Sequence, residues 1–293
     1  MINVVSVIVT YNPDYSLLEQ NISSLSKQVD RIIIVKNSGE EFDNRICNSL
    51  VEKIQLKTNF GIAYAQNRGI EKAIDFGANF VLFSDQDTIF PDDYIKKCIE
   101  IYENNKSSCK IAAVVPLFFN ENKQELSRVM ITKTKAISPE TNKIYSLAHA
   151  ISSGSFIPVS VLKVIGFMNE RMFIDYVDNE WCWRATREGF SIICDTGLVI
   201  SHSMGDNYKK VLGRKFVVYS NFRNYFFIRN SYYLLFHSHL LSFSEFFSFF
   251  LYTKIKSIIF FITKGVTVKN IMLYFNAKFK GITNMFTLEE EIK

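Results

Sequence analysis

Asp85-Gln86-Asp87 sets two carboxylates one residue apart, directly after the apolar run Phe80-Val81-Leu82-Phe83. At a strand end, two such acids can offer oxygens to one hard divalent cation, which can in turn bridge a diphosphate. A departing nucleoside diphosphate gains charge as its bond breaks, and such a cation offsets that charge. Acid–x–acid alone is a weak signal, because Glu41/Asp43 and Asp178/Glu180 share it. A solvated turn is the plain alternative; the apolar strand in front favours a site.

A second constellation runs Phe173-Ile174-Asp175-Tyr176-Val177-Asp178-Asn179-Glu180-Trp181-Cys182-Trp183-Arg184. Apolar surroundings raise a carboxylate's pKa, which suits a general base taking a proton from a hydroxyl. A helix starting at Asp178 would help keep that carboxylate ionised. The structural alternative is an N-cap with an acidic first turn. His202, after a short apolar strand, is a candidate third metal ligand, since neutral imidazole is a frequent one. A lone histidine is more often structural, and histidines 149, 237 and 239 have no comparable context. Arg223 and Arg229 suit phosphate oxygens. Six residues apart on a helix they do not share a face, and structural salt bridges explain them equally well.

These side chains need a frame. Val4–Val9, Ile32–Val35, Ile54–Leu56, Phe80–Ser84 and Ile111–Val115 are short apolar runs of the kind buried on both faces of a sheet. Between them, helices are expected after Pro13 (Leu18, Ile22, Leu25), through Ile46 and Leu50, over 62–76, and from Pro91-Asp92-Asp93. Alternating strand and helix implies an α/β fold with a parallel, doubly covered sheet, whose ligands bind beyond the carboxyl ends of the strands. The residues at those ends are Thr10/Tyr11/Asn12, Asn37/Ser38, Asn59/Gly61 and Asp85/Asp87, all polar, aromatic-hydroxyl or glycine. Residues 120–150 read as a polar excursion, 151–158 as strand-like, and 178–188 as a helix stopped by Gly189.

The chain of 293 residues is 48% hydrophobic and 22% charged, a globular composition with room for a large core. Its five scattered cysteines contain no CxxC pair, which favours a reducing compartment over a disulfide framework or zinc knuckle. Met1-Ile2-Asn3 runs into the first strand with no secretory pattern. From Asp206 onward there are thirteen basic against five acidic side chains, with fifteen of the 27 phenylalanines. Phenylalanine clustered with Leu and Ile fits a lipid interface better than nucleic acid. A dimer contact or a cover for the sheet would use the same residues. No bilayer crossing is expected, because the most apolar run, Ser257 to Thr263, lies between Lys256 and Lys264.

Taken together, co-linear motifs resemble bacterial L-rhamnosyltransferases within the inverting GT-A family 2. They are Val9-Thr10-Tyr11-Asn12-Pro13, Gln28-Val29-Asp30-Arg31-Ile32, Asn59-x-Gly61-Ile62-Ala63-x-Ala65-x-Asn67-x-Gly69, Asp85-Gln86-Asp87, Ile151-Ser152-Ser153-Gly154, Phe173 to Trp181, and His202-x-x-Gly205-Asp206. The match covers roughly 3–235. It implies a GT-A domain over 1–235, with a nucleotide-binding half (1–115) and an acceptor and catalytic half (116–235), followed by a helical, aromatic, basic tail over 236–293.

The resemblance also implies roles. Thr10, Tyr11, Asn12, Asn37, Asn59, Gly61, Asn67 and Asp85 would lie at the nucleotide. Asp87 and His202, with Asp85, would hold Mg2+ or Mn2+. Ser153, Gly154, Glu180, Trp181 and Arg184 would face sugar or acceptor, and Asp178 would be the base. The expected donor is a dTDP-sugar, dTDP-rhamnose first, and the acceptor a lipid-linked glycan of a surface polysaccharide. The expected location is cytoplasmic, peripheral at the inner face of the plasma membrane, with homo-oligomers possible and no nucleic acid. Other nucleotide-sugars, nucleotidyl transfer and a non-catalytic nucleotide-binding role are the rival readings. Two departures stand out: Lys36 replaces the acid many relatives carry there, and Gln86 is the middle residue of the metal motif, as is common in the rhamnosyl branch.

Overall fold

The computed structural model describes residues 2–43, 45–120, 124–201, 208–211 and 214–284. Its frame is a nine-stranded mixed sheet. The first four strands are β1 (Val4–Thr10), β2 (Arg31–Lys36), β3 (Val51–Gln55) and β4 (Phe80–Asp85). All four run parallel in the order β3-β2-β1-β4, so their carboxyl ends share one edge. Next come β5 (Ile111–Asn120), the short strands β6 (Glu125–Leu126), β7 (Val129–Met130) and β8 (Ala136–Ile137), then β9 (Ile144–Leu147), β10 (Phe156–Pro158) and β11 (Ser191–Ser201). The sheet continues β4-β10-β5-β11-β9, with β10 and β9 antiparallel to their neighbours and β11 parallel to β5. The sheet is thus mostly parallel, with β10 wedged in as a reversed strand. Strands β12 (Tyr208–Val211) and β13 (Arg214–Val217) form a separate hairpin.

Period-two alternation divides the core between the two faces. Val5, Val7, Ile33 and Val35 point to one side, where they meet α2 (Ile62–Asp75), α4 (Val159–Ile165) and α5 (Val177–Arg187). Val4, Ile8, Ile32 and Ile34 point to the other, against α1 (Tyr15–Ser26) and α3 (Tyr94–Asn105). Asp14 caps α1 by accepting from the Ser16 and Leu17 N–H groups at 2.9 and 3.3 Å, a contact worth about 1 kcal/mol. The helix expected through Ile46 and Leu50 does not form: that stretch is turns and extended chain, and Ile46 alone is anchored in the core.

Three helices close the chain: α6 (Asn221–Phe236), α7 (Phe243–Lys264) and α8 (Val268–Thr283). They are not a detached tail. Phe249, Phe260, Tyr274 and Ala277 belong to the same apolar cluster as Val5 and Val7. Lys133, from the polar excursion, reaches the Leu240 carbonyl at 2.7 Å and Glu245 at 2.9 Å. Where α8 crosses α6, a Cβ on Gly281 would lie 2.3 Å from the Arg229 carbonyl oxygen, so only glycine permits the contact.

By length and composition alone, α7, at 22 residues, is long and apolar enough to cross a membrane. Lys254 and Lys256 do not interrupt it, because their ammonium groups sit over the rings of Phe250 and Tyr252 and leave the helix outer face apolar.

Candidate active site

The site is built where the strand-end loops of the sheet meet the loop entering α5. Asp85 closes β4, and Asp87 follows in a half-buried turn. Gln86, the middle residue, fixes that turn: its side-chain oxygen accepts from the Tyr11 N–H at 2.9 Å. Thr10 is buried and its carbonyl accepts from the Asn37 N–H, while Tyr11 is 51% exposed and Asn12 takes a left-handed φ of 46°. Asn37 donates to the Asn59 side-chain oxygen, which also accepts from Gly61 N–H, and the Asn37 oxygen accepts from Phe60 N–H. One amide network therefore shapes three neighbouring loops. Lys36 is buried, with its ammonium directed to the Glu41 carbonyl and 3.4 Å from the Tyr15 hydroxyl.

Opposite these loops, residues 173–176 enter α5 through three left-handed, non-glycine residues: Phe173 (φ 59°), Asp175 (63°) and Tyr176 (65°). Such conformations cost roughly 1 kcal/mol or more each and persist only when their surroundings impose them. The imposing groups come from α6. The Asn230 amide donates to the carbonyls of Met172, Ile174 and Asp175 at 2.8 to 2.9 Å. Arg229, fully buried, donates to the carbonyls of Arg171 and Met172, with its guanidinium 4.7 Å above the Phe226 ring. Arg223 pairs with Asp175 at 3.0 Å. The two arginines of the sequence motif thus hold this loop. On the nucleotide side, Ile62 N–H donates to the Phe173 carbonyl at 2.7 Å, and a Cβ on Gly61 would meet the Phe173 ring at 2.7 Å.

The two walls are joined by adjacent serines. Ser152 N–H donates to Asp178 Oδ2 at 3.0 Å, and Ser153 Oγ accepts from Asp85 N–H at 3.0 Å. The Asp178 carboxyl is pushed up to about 6, chiefly by burial and in part by the Asp85 and Asp175 carboxylates, against the lowering effect of its own N–H and that of Ser152. Asp178 is not the N-cap of α5, since Tyr176 occupies that position and offers no side-chain cap. Its carboxylate is therefore available for chemistry, half-buried and poised near neutral pH.

Several residues expected at the ligand are elsewhere. Trp181 is 2% exposed and donates its indole N–H to the Gly166 carbonyl. Glu180 is buried in a two-oxygen pair with Arg184 Nε at 2.9 and 3.0 Å, and Arg184 donates its remaining groups to the Ile165 and Phe167 carbonyls. These three lock α5 to the loop after α4. Asn67 exchanges bonds with the Met168 backbone and with Glu170, so it ties α2 to that loop instead of meeting a nucleotide. Ser153 is buried, its hydroxyl shared between Asp85 N–H and Thr88 Oγ1. Gly154 is buried against Pro116 and Tyr94, whose hydroxyl donates to its carbonyl at 2.5 Å. Both position the site from below. Motif-level reading missed Ser152, Asn230 and Gln86 as positioning groups, although all three lie inside segments singled out by sequence, Asn230 directly after Arg229.

Asp85 and Asp87 are oxygen donors suited to Mg2+ or Mn2+, and the carboxylates of Asp85, Asp175 and Asp178 concentrate negative charge here. Among the described residues no three His, Cys, Asp or Glu side chains converge as a metal cluster. His202 lies outside the described residues. Its neighbour Ser201 forms an isolated antiparallel bridge with Ile89, two residues after Asp87.

Residues 6–166 match glycosyl transferase family 2. The chain is also 32% identical, over 81% of its own length and 81% of the relative's, to the dTDP-rhamnosyl transferase RfbF of Shigella flexneri. The chain belongs to family 2. It is a glycosyltransferase, and the mixed sheet with flanking helices is the GT-A arrangement. The fold is shared with S. aureus TarS residues 1–349 in complex with UDP-GlcNAc (TM-score 0.64, 15% identity, 96% of this chain and 82% of that one). Against the longer TarS chain it spans 50% of the length. A structure of GalNAc-T7 with UDP, GalNAc and Mn2+ is also similar (TM-score 0.57, 12% identity, 90% of this chain and 58% of that one).

Proposed function

We propose that this family 2 glycosyltransferase moves L-rhamnose from dTDP-β-L-rhamnose, with inversion, onto a hydroxyl of a lipid-linked surface-polysaccharide glycan. The donor assignment rests on the 32% identity to a dTDP-rhamnosyl transferase across most of both chains. The observation that carries the mechanism is the Ser152–Ser153 bridge, which sets Asp178 opposite Asp85 across adjacent backbone positions.

In this reading the nucleoside end lies against Tyr11, Asn37 and Asn59, and Lys36 leaves base recognition to amide and backbone groups. Asp178 takes the proton from the acceptor hydroxyl. The acceptor oxygen attacks the anomeric carbon from the face away from the phosphate, the bond to the diphosphate oxygen breaks, and dTDP departs with the electron pair. Asp85 and Asp87, with His202 as third ligand, would hold Mg2+ or Mn2+, which supplies charge neutralisation at the diphosphate. Orientation and electrostatics provide most of the acceleration, and base catalysis on the order of 10²–10⁴-fold. A donor panel (dTDP-rhamnose, UDP- and GDP-hexoses) assayed on a lipid-linked acceptor extract, with and without chelator, tests this. The expected result is chelator-sensitive release of dTDP from dTDP-rhamnose. Preferential turnover of a UDP- or GDP-sugar would overturn the donor, and release of pyrophosphate would overturn the reaction class.

A further inference from the structure

The two last helices each have one face packed in the protein and the opposite face bare. On α7 the buried side is Phe249, Thr253, Ser257, Phe260 and Thr263, and the outer side is Phe243, Phe247, Leu251, Ile255, Ile258 and Ile262. On α8 the buried side is Asn270, Tyr274, Ala277 and Gly281, and the outer side is Val268, Met272, Phe275, Phe279 and Ile282. Both outer stripes recur at three- and four-residue spacing and carry no charge, which is helical amphipathicity with its apolar half turned to solvent. At the turn between the helices, Ile258, Phe261, Ile262, Val266 and Ile271 line one recess of about 350 Å³, so the two stripes join. An uncovered apolar surface of this extent marks a docking face.

Its border identifies the occupant. Residues 243–284 contain six lysines and a single acid, Glu245, which is spent on Lys133. On α8, helical spacing puts Lys269 and Lys280 along one margin of the stripe and Lys278 along the other. An apolar stripe between lysine margins matches acyl chains beneath anionic headgroups. A second copy of the chain fits poorly, because a self-complementary contact would bring lysine margin against lysine margin, and among the described residues of the two helices the single acid, Glu245, is already paired with Lys133. A bilayer crossing by α7 fits no better. Its inner face is engaged with the protein, where Phe249 meets the rings of Trp183 and Tyr176 edge-on.

We propose that α7 and α8 together form a docking surface for an anionic lipid bilayer, lying in the plane of the headgroups with their outer apolar side chains immersed. α6 links this surface to the catalytic loop: Tyr232 meets Tyr274 at 3.0 Å on α8, and Asn230 holds residues 172–176. Docking therefore fixes the orientation of the site relative to the membrane. The inference is independent of the donor and acceptor assigned above.

The test is co-sedimentation of the full chain with vesicles of phosphatidylglycerol in phosphatidylcholine, against phosphatidylcholine alone, at low and high salt. The wild-type chain is expected to partition onto the anionic vesicles in a salt-sensitive way. Lys269→Gln/Lys280→Gln should weaken binding by on the order of tenfold, and Phe275→Ser/Phe279→Ser, at positions 59% exposed, should weaken it at least as much. Circular dichroism and donor affinity should stay as in wild type. No partitioning onto either vesicle would overturn the proposal, as would unchanged partitioning in both variants. So would a phenylalanine variant whose sole effect is to convert a dimer to a monomer.

Discussion

Asp178 is held in a state that suits chemistry at a cost to folding. Its carboxyl titrates near 6 in the fold against an ordinary 3.8, because burial and the carboxylates of Asp85 and Asp175 disfavour the ion. The folded chain therefore binds this proton more tightly than the unfolded chain. Ionisation destabilises the protein as pH rises from about 4, and the full penalty, roughly 2–3 kcal/mol, is present above about 6. Asp178→Asn should accordingly raise the melting temperature of the metal-free protein at pH 7.5 and leave it nearly unchanged at pH 4; equal melting temperatures at pH 7.5 would contradict this. Asp87→Asn should weaken Mn2+ binding, read by titration calorimetry with dTDP present, by tenfold or more. Asp85, Asp87 and Asp178 stood out in the sequence as candidates because carboxylates at strand and helix ends have few structural reasons to be there, and the fold brings Asp85 and Asp178 to adjacent serines. Glu180, Trp181, Arg184, Asn67 and Ser153 are engaged in internal contacts that the sequence did not disclose. The motif identifies residues on which the site depends, and a side chain that holds a loop from beneath looks the same in sequence as one that touches the ligand.

At the level of elements, the loop entering α5 depends on α6. Three left-handed residues survive between Phe173 and Tyr176 because Asn230 satisfies three of the loop's carbonyls at once. Asn230→Ala should destabilise the fold by roughly 1–3 kcal/mol, through lost hydrogen bonds and unpaired buried carbonyls. It should also lower kcat while donor KM changes little, because the nucleotide-side loops do not use Asn230. A variant altered in KM alone would argue against this role. Gly61→Ala should affect both, since the added methyl strikes Phe173 and links the two walls. Strand runs such as Val4–Thr10 were readable because continuous apolar segments bounded by turns have few other folds. β10 was legible as strand-like chain within 151–158, but its reversed direction was not, since three residues, Phe156–Pro158, carry no period and their direction is set by neighbouring strands. The absent helix near Ile46 shows that two apolar residues four apart are too little to nucleate one.

For the whole molecule, the excess of charge and phenylalanine beyond Asp206 reported a surface without saying which side of each helix would carry it. Packing decided that. Phe249, Phe260 and Tyr274 went inward and Phe247, Phe275 and Phe279 outward, a partition that composition does not encode. Because the inward half completes the cluster around Trp183 and Tyr232, a chain ending at Phe236 should lose soluble yield and thermal stability. A truncated protein melting like the full chain would show the helices to be an independent appendage.

The central claim is that Asp178 takes the acceptor proton at a site assembled from both halves of the domain. Its most direct test is the transfer rate of Asp178→Asn against wild type, at saturating donor and metal from pH 5 to 8.5, with donor Kd measured in parallel. The expected result is a fall of at least a hundredfold, loss of the acidic limb seen in wild type, and a donor Kd within about twofold. Wild-type turnover by the variant, or a loss of activity fully matched by a loss of donor binding, would contradict it.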